Sequence, residues 1–279
     1  MATFEPGARL GDYRLDALLG EGATGLVFQA SQLSDQGRPV ALKILRAEQT
    51  LDAVARARFV REARLARGID SPHVVPILDL GESQGVTFLV MPLYEIGSLA
   101  RRLRTVERLT LDETVELSAQ LGRGLDALHA RSIVHRDVKP SNVLLDLAGV
   151  AALADFGLAL ATDSTRLTQE GQLLGTAHYL APELIEGGDA TEASDIYALG
   201  CLLYECVVGR PPFAGRSPAE VGFAHLTDPP PDPREVHSEL PGQLADALRF
   251  ALDKDPSRRP TSATALSRMF DVARRAAPA

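Results

Sequence analysis

His135-Arg136-Asp137-Val138-Lys139-Pro140-Ser141-Asn142 places five polar groups of different chemistry within eight residues, just ahead of the apolar run Val143-Leu144-Leu145. A candidate acid or base (Asp137), a cation (Lys139) and a metal-binding amide (Asn142) fall together on what reads as a loop. Thirteen residues after Asn142 comes Asp155-Phe156-Gly157. An amide and a carboxylate on neighbouring loops can hold a divalent cation against a polyphosphate, which leaves one carboxylate for a hydroxyl proton. The pair, in this order, points to phosphoryl transfer from a nucleotide.

These loops need elements to position them. The first ninety residues read mainly as strands: Tyr13–Leu19, Leu26–Ala30, Pro39–Leu45, Val74–Leu80 and Val86–Met91. Leu51 to Gly68 has helical periodicity and a glycine terminator. From Ser98 onward helices dominate, at Leu111–Arg131, Ala193–Val208, Pro218–Leu226, Leu240–Leu252 and Thr261–Ala276. The composition shifts near Pro92–Gly97, the expected hinge between a β-rich and an α-rich lobe. The proline-rich stretch Thr227–Pro241 reads as a surface connection.

Two features of the β-rich part fit the same chemistry. Gly20-Glu21-Gly22-Ala23-Thr24-Gly25 lies between two strands, where a glycine turn lets backbone amides approach phosphates without a Cβ in the way. Dinucleotide-binding folds use the same glycine spacing, but there the strand leads into a helix. Lys43 is a lone cation in the apolar run Val40-Ala41-Leu42-Lys43-Ile44, and buried lysine is rare without a partner. Glu62, 19 residues on, is the first candidate partner.

Together these segments resemble those of eukaryotic-type protein kinases, and within that superfamily the bacterial Ser/Thr protein kinases. The resemblance covers roughly residues 11–274. It implies an α+β, bilobal fold: a small antiparallel β-sheet lobe with one main helix (about 11–91), a hinge (92–97) and a larger, mainly helical lobe (about 98–274). The whole chain, 1–279, would be a single catalytic domain. Lys43 would hold the α- and β-phosphates, oriented by Glu62. Asp137 would accept the substrate hydroxyl proton, with Lys139 balancing charge and Thr176 bridging the two. Asn142 and Asp155 would hold the metal. The nucleotide site would comprise Gly20, Glu21, Gly22, Ala23, Thr24, Gly25, Val27, Ala41, Lys43, Met91, Pro92, Tyr94 and Leu144. Plain core packing explains Val27, Ala41 and Leu144 almost as well. Glu183 of Ala181-Pro182-Glu183 would pair with Arg259, and Asp195 would tie down the catalytic loop. Thr168 is the leading regulatory phosphosite, with Thr165 second, and Arg136 the cation that reads it.

The implied activity is ATP-dependent phosphorylation of protein Ser/Thr hydroxyls in bacterial signal transduction, with autophosphorylation. The implied cofactors are ATP and Mg2+, with Mn2+ an alternative. A pseudokinase scaffold would have lost Lys43, Asp137 or Asn142, and none is lost. A small-molecule kinase would lack the Glu183 and Arg259 pair. The net charge of −8 gives no global reason to bind nucleic acid. The longest strongly apolar stretch, Ile196–Val208, is too short to span a bilayer and contains Glu205. The N-terminus has no apolar signal segment. Cys201 and Cys206, on one helix, read as buried free thiols. The setting expected from these features is cytoplasmic, and homodimerisation is left open.

Overall fold

The computed structural model describes residues 4–22, 25–45, 63, 67–156 and 177–276. They form two compact units. One comprises the described residues up to Asp70 together with Val75–Glu95. The other comprises Ser71–Val74 and the described residues from Ile96 onward.

The first unit is built on a six-stranded antiparallel sheet. Its strands are β1 (Arg9–Leu10), β2 (Tyr13–Gly22), β3 (Gly25–Gln32), β4 (Arg38–Leu45), β5 (Asp79–Ser83) and β6 (Val86–Pro92), in the order β1-β2-β3-β4-β6-β5. The register sorts its side chains onto two faces, because residues paired across antiparallel strands share a face. Leu42 pairs with Phe28 and Val90, and Ile44 with Leu26 and Phe88. These residues join Leu10, Tyr13, Leu15 and Val40 in one apolar core. On the other face Lys43 pairs with Val27 and Leu89, and Ala41 with Gln29 and Met91. At one end of that face Leu45 and Leu89 pack with Ala63.

The expected strand over Val74–Leu80 is corrected. Only Asp79 and Leu80 of that span are extended in the sheet. Pro76 has no N–H to give to a ladder. Val74 instead makes an isolated bridge to Leu153, within the second unit. The helix expected from Leu51 to Gly68 lies outside the described residues except at Ala63 and its last two positions.

The second unit begins with a small sheet, β7 (Gly97–Ser98), β8 (Val143–Leu145) and β9 (Ala151–Leu153). Its helices are α1 (Leu99–Val106), α2 (Leu111–His129), α3 (Pro182–Ile185), α4 (Glu192–Val208), α5 (Pro218–Thr227), α6 (Gly242–Ala251) and α7 (Ala263–Ala276). Capping boxes start α2 (Thr110 with Glu113) and α5 (Ser217 with Glu220). Gly209, left-handed at φ 87°, ends α4. Nearly every residue of α4 is buried, and α2, α6 and α7 pack against it. α2 approaches its neighbours closely through two glycines. A Cβ on Gly124 would stand 2.5 Å from the His73 carbonyl oxygen, and one on Gly122 2.5 Å from Ser267 Oγ. From α2 the Asp126 carboxylate accepts the Ala263 and Thr264 amides at 3.0 and 3.1 Å, capping α7. Among the described residues no helix is long and apolar enough to cross a membrane.

Candidate active site

The loop after α2 is held from below by α4. Asp195, 1% exposed in the first turn of α4, accepts the His135 amide at 2.7 Å and the Arg136 amide at 2.8 Å. His129, at the end of α2, joins the same carboxylate at 2.8 Å. Two consecutive amides aimed at one carboxylate fix the loop's direction. They also hold Arg136 at φ 72°, a left-handed conformation that costs an ordinary residue free energy. Asp155 sits at φ 60° in the other loop. Two non-glycine residues with positive φ thus flank the constellation.

The Asp137 carboxylate receives Lys139 Nζ at 2.8 Å and Asn142 Nδ2 at 2.8 Å. The same amide nitrogen also donates to the Asp137 carbonyl at 2.9 Å. With both amide protons spent on Asp137, the Asn142 Oδ1 is turned away from it. The contact of Oδ1 with Ser141 Oγ is only 3.5 Å, so the carbonyl oxygen keeps capacity for a cation. The Asn142 carbonyl accepts the Ala154 amide at 2.8 Å, which brings the Asp155 loop alongside. His135 is fully buried and edge-on to Phe156, with ring centroids 6.2 Å apart. Its Nδ1 accepts the Asp137 amide at 3.3 Å. Burial lowers its pKa, against the opposing pull of Asp195, Asp137 and Asp155, so the ring is neutral and packs instead of titrating.

A cation here has Asn142 Oδ1 and the Asp155 carboxylate to bind. Among the described residues no cluster of three or more His, Cys, Asp or Glu side chains could cage a metal alone. Two protein oxygens plus phosphate and water is the sparse set that suits an ion such as Mg2+. The residues present fit.

Val27, Ala41, Lys43 and Met91 lie on the sheet face opposite the core of the first unit. Lys43 is 2% exposed. The glycines divide by role. A Cβ at Gly25 would stand 1.9 Å from the Ile44 carbonyl oxygen, so the sheet itself requires glycine there. At Gly20 and Gly22 a Cβ would meet nothing within 4 Å. Their lack of a side chain serves no internal packing and leaves the strand ends open to a ligand. Leu18 and Leu19, half-exposed beside them, were not singled out from the sequence. Pro92 ends β6, Tyr94 follows it, and Leu144 lies in β8 of the other unit. Ala23, Thr24, Glu62, Thr165, Thr168 and Thr176 lie outside the described residues.

Glu183 and Arg259 form a two-pronged pair at 2.7 Å on each side, with the Arg259 side chain fully buried. Residues 13–270 match the model of the protein kinase domain. The chain belongs to that family.

Protein kinases work with ATP and a divalent cation, and act on proteins. The chain is 42% identical over 276 residues to the DNA damage-responsive serine/threonine-protein kinase RqkA of Deinococcus radiodurans, covering 97% of this chain and 41% of that one. It is 39% identical over 263 residues to the serine/threonine-protein kinase PknD of Mycobacterium tuberculosis, covering 94% and 40%. The chain therefore spans about two fifths of the length of these relatives. In structure it is similar to the PknI kinase domain of M. tuberculosis, with a TM-score of 0.78 and 26% identity over 98% of this chain and 100% of the other.

A further contact beside this site was not singled out from the sequence. The Tyr179 hydroxyl donates to the Glu205 carboxylate. Burial pushes the pKa of both groups up, so the phenol keeps its proton. The signal was in view, since Glu205 interrupts the apolar stretch Ile196–Val208.

Proposed function

We propose that this chain is a serine/threonine protein kinase catalytic domain that transfers the γ-phosphoryl group of ATP to Ser and Thr hydroxyls of proteins. The domain would be the single unit of function over 1–279, with its small lobe at about 11–91, hinge at 92–97 and large lobe at about 98–274. The observation that carries the reading is the grip on Asp137, whose carboxylate is held by Lys139 and Asn142, each at 2.8 Å.

Asp137 is the base that accepts the hydroxyl proton and aims the oxygen for in-line attack. Lys139, paired with Asp137 in the resting site, is placed to neutralise charge on the migrating group. Asn142 Oδ1 and Asp155 would hold Mg2+, which supplies charge neutralisation at the phosphate oxygens. Lys43 binds the α- and β-phosphates and Glu62 orients it. Thr176 bridges Asp137 and Lys139. Gly20, Glu21, Gly22, Ala23, Thr24 and Gly25 present backbone amides to the phosphates. Val27, Ala41, Met91, Pro92, Tyr94 and Leu144 form the adenine site. Thr168, with Thr165 second, is the activation-loop phosphosite. Arg136, the residue before the base, would read that phosphate. The setting is cytoplasmic, in keeping with Cys201 and Cys206 being buried free thiols.

The test is γ-labelled ATP with Mg2+ and a generic protein substrate, followed by mass-spectrometric mapping of every phosphosite. Label on Ser and Thr of the substrate and of the chain itself is expected. Label on tyrosine alone, or transfer only to small molecules, would refute the reading.

A further inference from the structure

Lysine is scarce in this chain. Of its 29 cationic side chains only Lys43, Lys139 and Lys254 are lysines. Lys43 is 2% exposed, and Lys139 is paired with Asp137 at 2.8 Å. Lys254 is in the turn after α6 and is partly exposed. Its Nζ stands 5.0 Å from the centroid of the Phe213 ring and 5.9 Å from that of Tyr197. It donates to the Ala224 carbonyl at 3.3 Å. It makes no ion pair within 4.0 Å among the described residues. A second cation, Arg259, lies over the same Tyr197 ring at 4.8 Å.

The groups facing the amine come from every neighbouring element. Asp228 after α5 and Asp253 beside it favour its charge, as do the faces of the Phe213 and Tyr197 rings, and Arg259 opposes it. His225 of α5 is neutral, its Nδ1 hydrogen-bonded with the Tyr197 hydroxyl at 2.7 Å. Partial burial outweighs the carboxylates and brings the Lys254 pKa down to about 8. At pH 7 roughly one amine in ten is then the free base, against roughly one in a few thousand for an ordinary lysine. A lysine kept off carboxylates, against apolar surface and beside another cation, is the arrangement that makes an amine nucleophilic.

We propose that Lys254 is an acylation site: the amine of this partly exposed lysine, set against two aromatic rings beside Arg259, accepts the acyl group of small activated donors, an acyl phosphate or a thioester. The free-base nitrogen attacks the acyl carbon and forms the C–N bond. The C–O bond to phosphate, or the C–S bond to the thiol, breaks and its electron pair leaves with that group. The proton shed by nitrogen passes to water. The product is a neutral amide in place of the ammonium.

The experiment treats the folded chain with acetyl phosphate or with acetyl-CoA between pH 7 and 9 and maps adducts by mass spectrometry. Three lysines and the α-amine make assignment direct, and no kinase turnover is needed. Lys254 is expected to react at least tenfold faster than Lys43 or Lys139, with half-maximal rate near pH 8. In urea the three should react alike. Lys254→Arg should remove the dominant adduct while leaving the melting temperature near that of the wild type. Labelling by one donor alone assigns the donor class. Labelling by neither, or a Lys254 rate no greater in the folded than in the unfolded chain, would overturn the proposal.

Discussion

Asp137 is fixed by its neighbours, some of which touch its carboxylate while another holds the backbone ahead of it. Lys139 and Asn142 grip its carboxylate. Asp195 grips the two amides before it. Replacing Asp195 with Asn would set an NH2 group against donors it cannot accept, a loss of about 1–3 kcal/mol. Asp195→Asn is therefore expected to lower both the urea midpoint and kcat. Asp155→Asn and Lys43→Met belong to a different class. Each removes a charge proposed to act on phosphate or metal, and each is expected to lower kcat by roughly a hundredfold or more. Circular dichroism should show the fold retained in both. Wild-type turnover in Asp155→Asn would remove the metal role assigned to it. All of these residues were singled out in the sequence, Asp195 only through the family resemblance. His129 was not, because nothing local in the sequence says that a helix-end histidine meets a carboxylate 66 residues away.

At the scale of elements, the glycine motif is two devices under one spacing. Gly25 meets the β4 backbone, whereas Gly20 and Gly22 meet nothing. Gly25→Ala is expected to destabilise the fold by about 1–3 kcal/mol, the usual cost of forcing atoms into filled space. Gly22→Ala should leave the denaturation midpoint nearly unchanged and raise KM for ATP. Equal stability loss in the two variants would contradict this division. The sequence could not separate them, since the difference lies in a strand pairing of residues about twenty apart. The same limit explains the strand misplaced over Val74–Leu80. That stretch has strand composition, but Pro76 and the bridge of Val74 to Leu153 redirect the chain. The helices α2 and α4 to α7 were legible because their caps and apolar periodicity are local. α1, α3 and β9 were missed because each is short.

Across the whole molecule, buried histidines set the acid limit. Burial lowers the pKa of His135, His178 and His225, the last to about 3. The folded state therefore binds fewer protons than the unfolded state once pH falls below about 6.5. Stability is expected to fall below that pH, for His225 down to about 3. Each such histidine contributes at most about 1.4 kcal/mol per pH unit. His225→Gln should flatten the acid limb of a urea-midpoint profile, and an unchanged limb would exclude His225 as a source. Regulation belongs to this scale too. Glu170 stands two residues after Thr168 as a fixed, smaller charge. Thr168→Ala and phosphatase-treated enzyme are expected to show reduced but measurable kcat/KM. Complete inactivity would refute a basal activity independent of the Thr168 phosphate.

The central claim is that Asp137 is the base of a phosphoryl transfer, and Asp137→Asn tests it most directly. The variant keeps the side chain's shape and loses its proton affinity. Single-turnover transfer from γ-labelled ATP to protein should be measured beside nucleotide binding and melting temperature. The account predicts transfer reduced by roughly a hundredfold or more, with nucleotide affinity within a few-fold of wild type and the fold intact. Transfer at the wild-type rate in a folded, nucleotide-binding Asp137→Asn would contradict it.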